Sequence, residues 1–244
     1  MSVQTKPKIY LTSSIRTAAK DSLNPMNGFV NQIRKDLPNP CKVLFVCSDP
    51  NTAEFTDNRA EETKKYFERA GIPFEDLWVL DGRNQNLASE LVRKSDLIIL
   101  SGGHVPTQNH FFQDAALREH LQSFSGVVIA WSAGSMNSAE TVYAHVELPG
   151  EAVDPYYKRF LPGLGLTKTM ILPHYQLIRN DILDGMRIFE DVAYPDSFGR
   201  RFYCLVDGSY LYIHDGVEEL RGEGYLIENG MIKQISKDGD VLML

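Results

Sequence analysis

Along the chain, short runs of apolar, β-branched residues alternate with longer segments that mix apolar and charged positions. This is the pattern of strands buried in a parallel sheet and joined by amphipathic crossovers. The clearest buried strands are Lys42–Cys47, Asp96–Leu100 and Gly126–Ala130. Each runs into turn-forming or small residues: Ser48 to Asn51, Ser101 to His104, and Trp131 to Gly134. In open α/β sheets the loops at the carboxyl ends of strands build the ligand crevice, so chemistry is to be sought in these three loops.

Between the strands, Asn58–Ala70 reads as a helix closed by Gly71, and Gln108–Phe124 as a second helix closed near Gly126. Glu147–Gly165, rich in glycine and proline, reads as a long functional loop. From Phe202 onward, apolar runs separated by Asp207-Gly208, Gly222-Glu223-Gly224 and Asn229-Gly230 predict a terminal antiparallel meander. There is no internal repeat, low-complexity tract or linker, so 244 residues predict a single α/β domain spanning 1–244, a mostly parallel sheet flanked by helices.

Charge and cysteine content narrow the partners. A net charge of −7 argues against nucleic acid and against an anionic membrane surface. Cys41, Cys47 and Cys204 form no zinc-ligand spacing and no disulfide framework. The first residues lack an apolar signal core and no stretch is long enough to span a bilayer, which makes the cytoplasm the expected compartment. A homodimer is only the base-rate expectation.

The strand ending at Ala130 continues into Trp131-Ser132-Ala133-Gly134, a near match to G-x-S-x-G with alanine at the first small position. In that motif a serine sits on a tight strand-to-helix turn, with the helix start aiming partial positive charge at the reaction centre. The bland alternative is a serine that merely caps the helix. A Gly102-Gly103 loop at the end of the preceding strand favours the nucleophile. The backbone N–H groups of Ala133 and Gly103 are then candidate oxyanion donors.

Taken together, Gly102-Gly103, Trp131 to Ser135, Pro173-His174-Tyr175 and Val206-Asp207-Gly208 resemble, in order and separation, the S51 serine peptidases, which include aspartyl dipeptidase (peptidase E) and cyanophycinase. The resemblance covers roughly residues 40 to 215. It implies a class I glutamine amidotransferase-like, flavodoxin-related three-layer sandwich. It also implies Ser132 as nucleophile, His174 as general base 42 positions later, and Glu147, 15 positions after the serine, as the acid that orients the histidine. Asp207 is the rival acid, with hairpin-turn duty as its ordinary role. The implied substrate is a short peptide, and the chemistry calls for no metal or organic cofactor.

The chain departs from the family around specificity. His104 to Asn109 replaces an asparagine-containing stretch, so His104, Gln108 and Asn109 are candidate substrate contacts, and Arg179 is the positional candidate for a cation. Two other readings share the fold. A glutamine amidotransferase needs a cysteine where Ser132 stands, and a non-catalytic ligand-binding protein would retain a crippled site. A nicotinamide site lacks its G-x-G-x-x-G loop.

Overall fold

The computed structural model describes residues 6–244. Five parallel strands form its centre: β1 (Lys8–Thr12), β2 (Cys41–Val46), β3 (Phe74–Leu80), β4 (Leu97–Leu100) and β5 (Val127–Trp131), in the spatial order β3-β2-β4-β5-β1. Strands buried on both faces must be apolar throughout, and alternate residues go to opposite sides. Leu44, Val46, Ile98, Leu100, Val128 and Ala130 pack on one side, Val43, Phe45, Leu97, Ile99, Val127 and Ile129 on the other.

Helices α1 (Phe29–Asp36) and α2 (Ala53–Arg69) cover the second of these faces through Phe29, Ile33, Tyr66 and Phe67. The first is covered by α3 (Ala88–Lys94), α4 (Val105–Asp114) and α5 (Leu117–Leu121), through Leu91, Phe111, Phe112 and Leu121. Helix α2 begins five residues before the expected start and ends beside Gly71, whose φ of 73° suits a helix stop. The single helix expected over Gln108–Phe124 is two helices, broken where Ala116 adopts φ 48°. Alanine favours helix, so the break comes from packing: Leu117 and Leu121 turn into the core.

Beyond α6 (Ala133–Asn137) the chain builds a second layer. A hairpin of β6 (Thr141–Tyr143) and β7 (Phe160–Pro162) flanks the long loop, followed by β8 (Met170–Leu172), α7 (Tyr175–Ile178) and a small hairpin of β9 (Ile182–Leu183) and β10 (Met186–Arg187). The terminal strands are β11 (Arg201–Leu205), β12 (Tyr210–His214), β13 (Val217–Arg221), β14 (Gly224–Glu228), β15 (Met231–Ser236) and β16 (Val241–Met243). Antiparallel pairing dominates them as expected, but they do not stay in one meander. Strands β12, β13 and β16 extend the main sheet beyond β1 to eight strands, while β15, β14 and β11 form a four-stranded sheet with β8. Strands β8 and β11 run parallel, with Leu172 opposite Cys204.

Candidate active site

Ser132 leaves β5 with φ 51° and ψ −122°, a conformation costly for any residue with a Cβ and characteristic of functional turns. The surroundings hold it there. Its N–H donates to Thr12 O at 3.0 Å, and its carbonyl accepts from Met136 N at 3.1 Å to start α6. Ser135 Oγ donates to Thr12 O and Ala130 O at 2.8 and 2.9 Å. Gly134 is obligatory: a Cβ there would lie 2.4 Å from Leu100 O. Ala133, as first residue of α6, carries one of the N–H groups that a helix start leaves without an intrahelical partner.

The glycine loop packs directly on this turn. A Cβ at Gly102 would fall 2.9 Å from Ser132 Cβ, and one at Gly103 would fall 2.4 Å from Ser48 Cβ. Both positions therefore exclude side chains because backbone and neighbours approach too closely.

His174 follows β8 and takes φ 57°, ψ 31°. Because β8 and β11 are parallel neighbours, the residues just past each strand emerge side by side. His174 Nδ1 pairs with Asp207 Oδ1 at 2.7 Å. The carboxylate only accepts, so Nδ1 carries the proton and Nε2 is left as the basic atom. Asp207 N donates to Gln176 Oε1 at 3.1 Å, which fixes the aspartate against the turn that bears the histidine.

One strand end links these parts. Thr12 O receives the Ser132 N–H, while Ser13 Oγ accepts from His174 N at 3.0 Å and donates to Leu205 O at 3.0 Å. Thr12 Oγ1 donates to Ser209 O at 2.8 Å, on the far side of Asp207. The turns that carry the serine, histidine and aspartate are thus anchored to Thr12, the last residue of β1, and to Ser13, which follows it. Sequence reasoning missed both; the signal was the apolar run Ile9–Leu11 followed by three small hydroxyl residues, Thr12 to Ser14.

Other expected site residues lie elsewhere. Glu147 makes no hydrogen bond to His174 among the described residues; it faces His145 Nε2 at 3.7 Å. Burial, only partly offset by the charge of His104, pushes its carboxyl up to about 7. The carboxylate that meets the imidazole is that of Asp207, because the parallel pairing of β8 with β11 brings residue 207 to His174. Asn109 lines a small cavity of about 190 Å³ with Phe112, Gln113, Arg118 and Pro162, none of them an expected site residue. Gln108 is fully buried and bonds Cys47 O, Ser101 O and Asn137 Nδ2, while Asn109 bonds Asn137 Oδ1, Pro162 O and Gln113 Nε2. They are interior cross-links, since the first turn of α4 points inward. Arg179 is exposed beyond the end of α7. His104 is half-buried and engaged at both ring nitrogens, by Thr107 Oγ1 and Glu151 Oε1, each at 2.8 Å. Cys47 is buried, and burial together with Asp81 and Asp49 pushes its thiol up to about 12.

No helix among the described residues is long and apolar enough to cross a membrane. The chain is similar to a peptidase from an acI-B1 Actinobacterium, at 16% identity and a TM-score of 0.67, with 99% of this chain and 98% of that one covered. It is also similar to a candidate peptidase E protein from Listeria monocytogenes EGD-e, at 17% identity and a TM-score of 0.57, covering 94% and 99%. At such identities these structures speak for the fold alone, and no curated protein matches. The sequence profile of peptidase family S51 matches residues 9–220, most of the length, and the chain belongs to that family.

Proposed function

We propose that this peptidase acts through Ser132 as nucleophile, His174 as general base and Asp207 as the acid that orients the imidazole, on short peptides. The observation that carries this reading is the 2.7 Å contact of Asp207 with His174 Nδ1, with the His174 backbone bonded to Ser13 and the strained Ser132 turn bonded to the adjacent Thr12. Asp207 keeps the proton on Nδ1, so Nε2 takes the Ser132 proton as Oγ attacks the scissile carbonyl. The charge that develops on the carbonyl oxygen meets the N–H groups of Ala133 and Gly103, one such donor being worth about 3 to 4 kcal/mol. His174 then gives the proton to the leaving amine, and water hydrolyses the acyl-enzyme by the same route in reverse.

Short peptides are the substrate class suggested by the resemblance to peptidase E. The amidotransferase reading would need a reactive thiol. Residue 132 is a serine, and burial holds Cys47 in its protonated form. Incubation with a fluorophosphonate, followed by peptide mapping, should label Ser132 in the wild type and nothing in Ser132→Ala. On a panel of dipeptides, Ser132→Ala should lose on the order of 10^6-fold in kcat. Retained hydrolysis by that variant would sink the assignment.

A further inference from the structure

The unusual loop after the two glycines has no role in the scheme above. His104 directly follows Gly103. Its ring is held from both sides, and one partner comes from 47 residues away: Nε2 meets Glu151 Oε1 at 2.8 Å. A carboxylate can only accept, so Nε2 carries hydrogen, and in the neutral ring Nδ1 accepts from the Thr107 hydroxyl at 2.8 Å. The second Glu151 oxygen accepts from Glu147 N at 2.7 Å and Leu148 N at 2.9 Å. These donors outweigh the effect of burial, which alone would raise it, and hold the Glu151 carboxyl below its ordinary range. Side-chain exposures of 24% for His104 and 12% for Glu151 separate this contact from the freely solvated ion pairs of a surface.

Two consecutive glycines have the widest backbone freedom of any dipeptide, yet an oxyanion donor must point at one place before the charge appears. Ser48 and Trp131 exclude side chains from the loop, and among the described residues neither forms a hydrogen bond with its N–H groups. On the carboxyl side, the first residue with a side chain is His104, whose carbonyl also accepts from Gln108 N at 3.1 Å. We propose that the His104–Glu151 pair is a clasp that orients the Gly103 peptide for oxyanion binding, making Glu151 a positioning residue that acts through His104. This rests on the assignment of Ser132 and Gly103 above.

The clasp predicts a defect confined to the transition state. It can be read as the rate constant for labelling of Ser132 by a fluorophosphonate, whose phosphoryl oxygen occupies the oxyanion position during attack. Glu151→Ala and His104→Leu should each slow labelling about tenfold or more, and the double variant should be no slower than the worse single one. His104→Gln, which keeps an N–H donor at similar reach, should recover to within about threefold of wild type. The Leu and Gln variants at 104 leave the Glu147–Glu151 turn untouched, so their contrast remains decisive if Glu151→Ala melts early. Wild-type labelling rates in Glu151→Ala, multiplicative effects in the double variant, or a His104→Gln as slow as His104→Leu would each overturn the clasp. A wild type that does not label at all would overturn the nucleophile assignment, and the positioning role with it.

Discussion

Two carboxylates lying towards opposite ends of β1 show how the same functional group is set to different tasks. Asp36, at the end of α1, lies over the amino half of β1 with its side chain 3% exposed and accepts from Lys8 Nζ, Tyr10 Oη, Tyr212 Oη and Gln32 Nε2. Burial alone would raise its carboxyl, but these four donors outweigh it and hold the group below its ordinary value. Asp207, beyond the carboxyl end of β1, has a side chain 31% exposed and bonds one side-chain donor, an imidazole that is itself 27% exposed. A carboxylate saturated by its own chain is committed to holding structure. One that holds a single basic ring leaves that ring's other nitrogen available for chemistry.

The sharpest way to break this comparison is to neutralise each acid in turn. Asp207→Asn should lower kcat by about 10^3- to 10^4-fold by permitting the wrong imidazole tautomer, while the melting temperature stays near that of wild type. Asp36→Asn should do the opposite. Its amide presents a donor to phenols and an ammonium that need an acceptor, which should cost about 2 to 4 kcal/mol of stability with kcat within about twofold. Urea titration and steady-state kinetics on the same preparations check both. A Asp207→Asn protein that turns over normally, or a Asp36→Asn protein as stable as wild type, would dissolve the contrast.

The serine turn was legible because everything that defines it is contiguous: a buried strand, one serine and a glycine that Leu100 O leaves no room to replace. The parallel strands β2, β4 and β5 were legible for a related reason, as residues buried on both faces leave unbroken apolar runs. Partnership across the chain was not. Glu147 and Asp207 are both acids beside glycine-rich turns, and what selects Asp207 is the pairing of β8 with β11, a contact between segments about thirty residues apart. Strand β1 escaped notice because five residues beginning with a lysine make a weak signal, although two residues at its end anchor the site. Gln108 and Asn109 misled for the opposite reason. Polar side chains near a presumed loop look like ligand contacts until the backbone shows that they face inward, where both bond the buried Asn137.

Glu147 refines the comparison as a third carboxylate, neither saturated nor paired with the His174 ring. The groups whose charges bear on it are His104, Glu151, His174 and Tyr157, with His145 Nε2 at 3.7 Å and the Val105 N–H nearby. His145 donates from Nδ1 to Val146 O at 2.9 Å, so its Nε2 offers Glu147 a lone pair when the ring is neutral. Burial lowers the basicity of that ring and keeps it neutral. A carboxyl raised from 4.5 to about 7 keeps its proton in the folded chain over a window where the unfolded chain has released it. Stability from this group is therefore fully present below about pH 4.5 and is lost as pH rises through about 7. Glu147→Gln has no proton to lose. Its stability relative to wild type should grow across that window by on the order of 2 kcal/mol, read as the difference between urea midpoints at pH 5 and pH 8. A gap independent of pH would mean that Glu147 is ionised throughout, which would return it to the role of a paired acid and restore it as a competitor to Asp207.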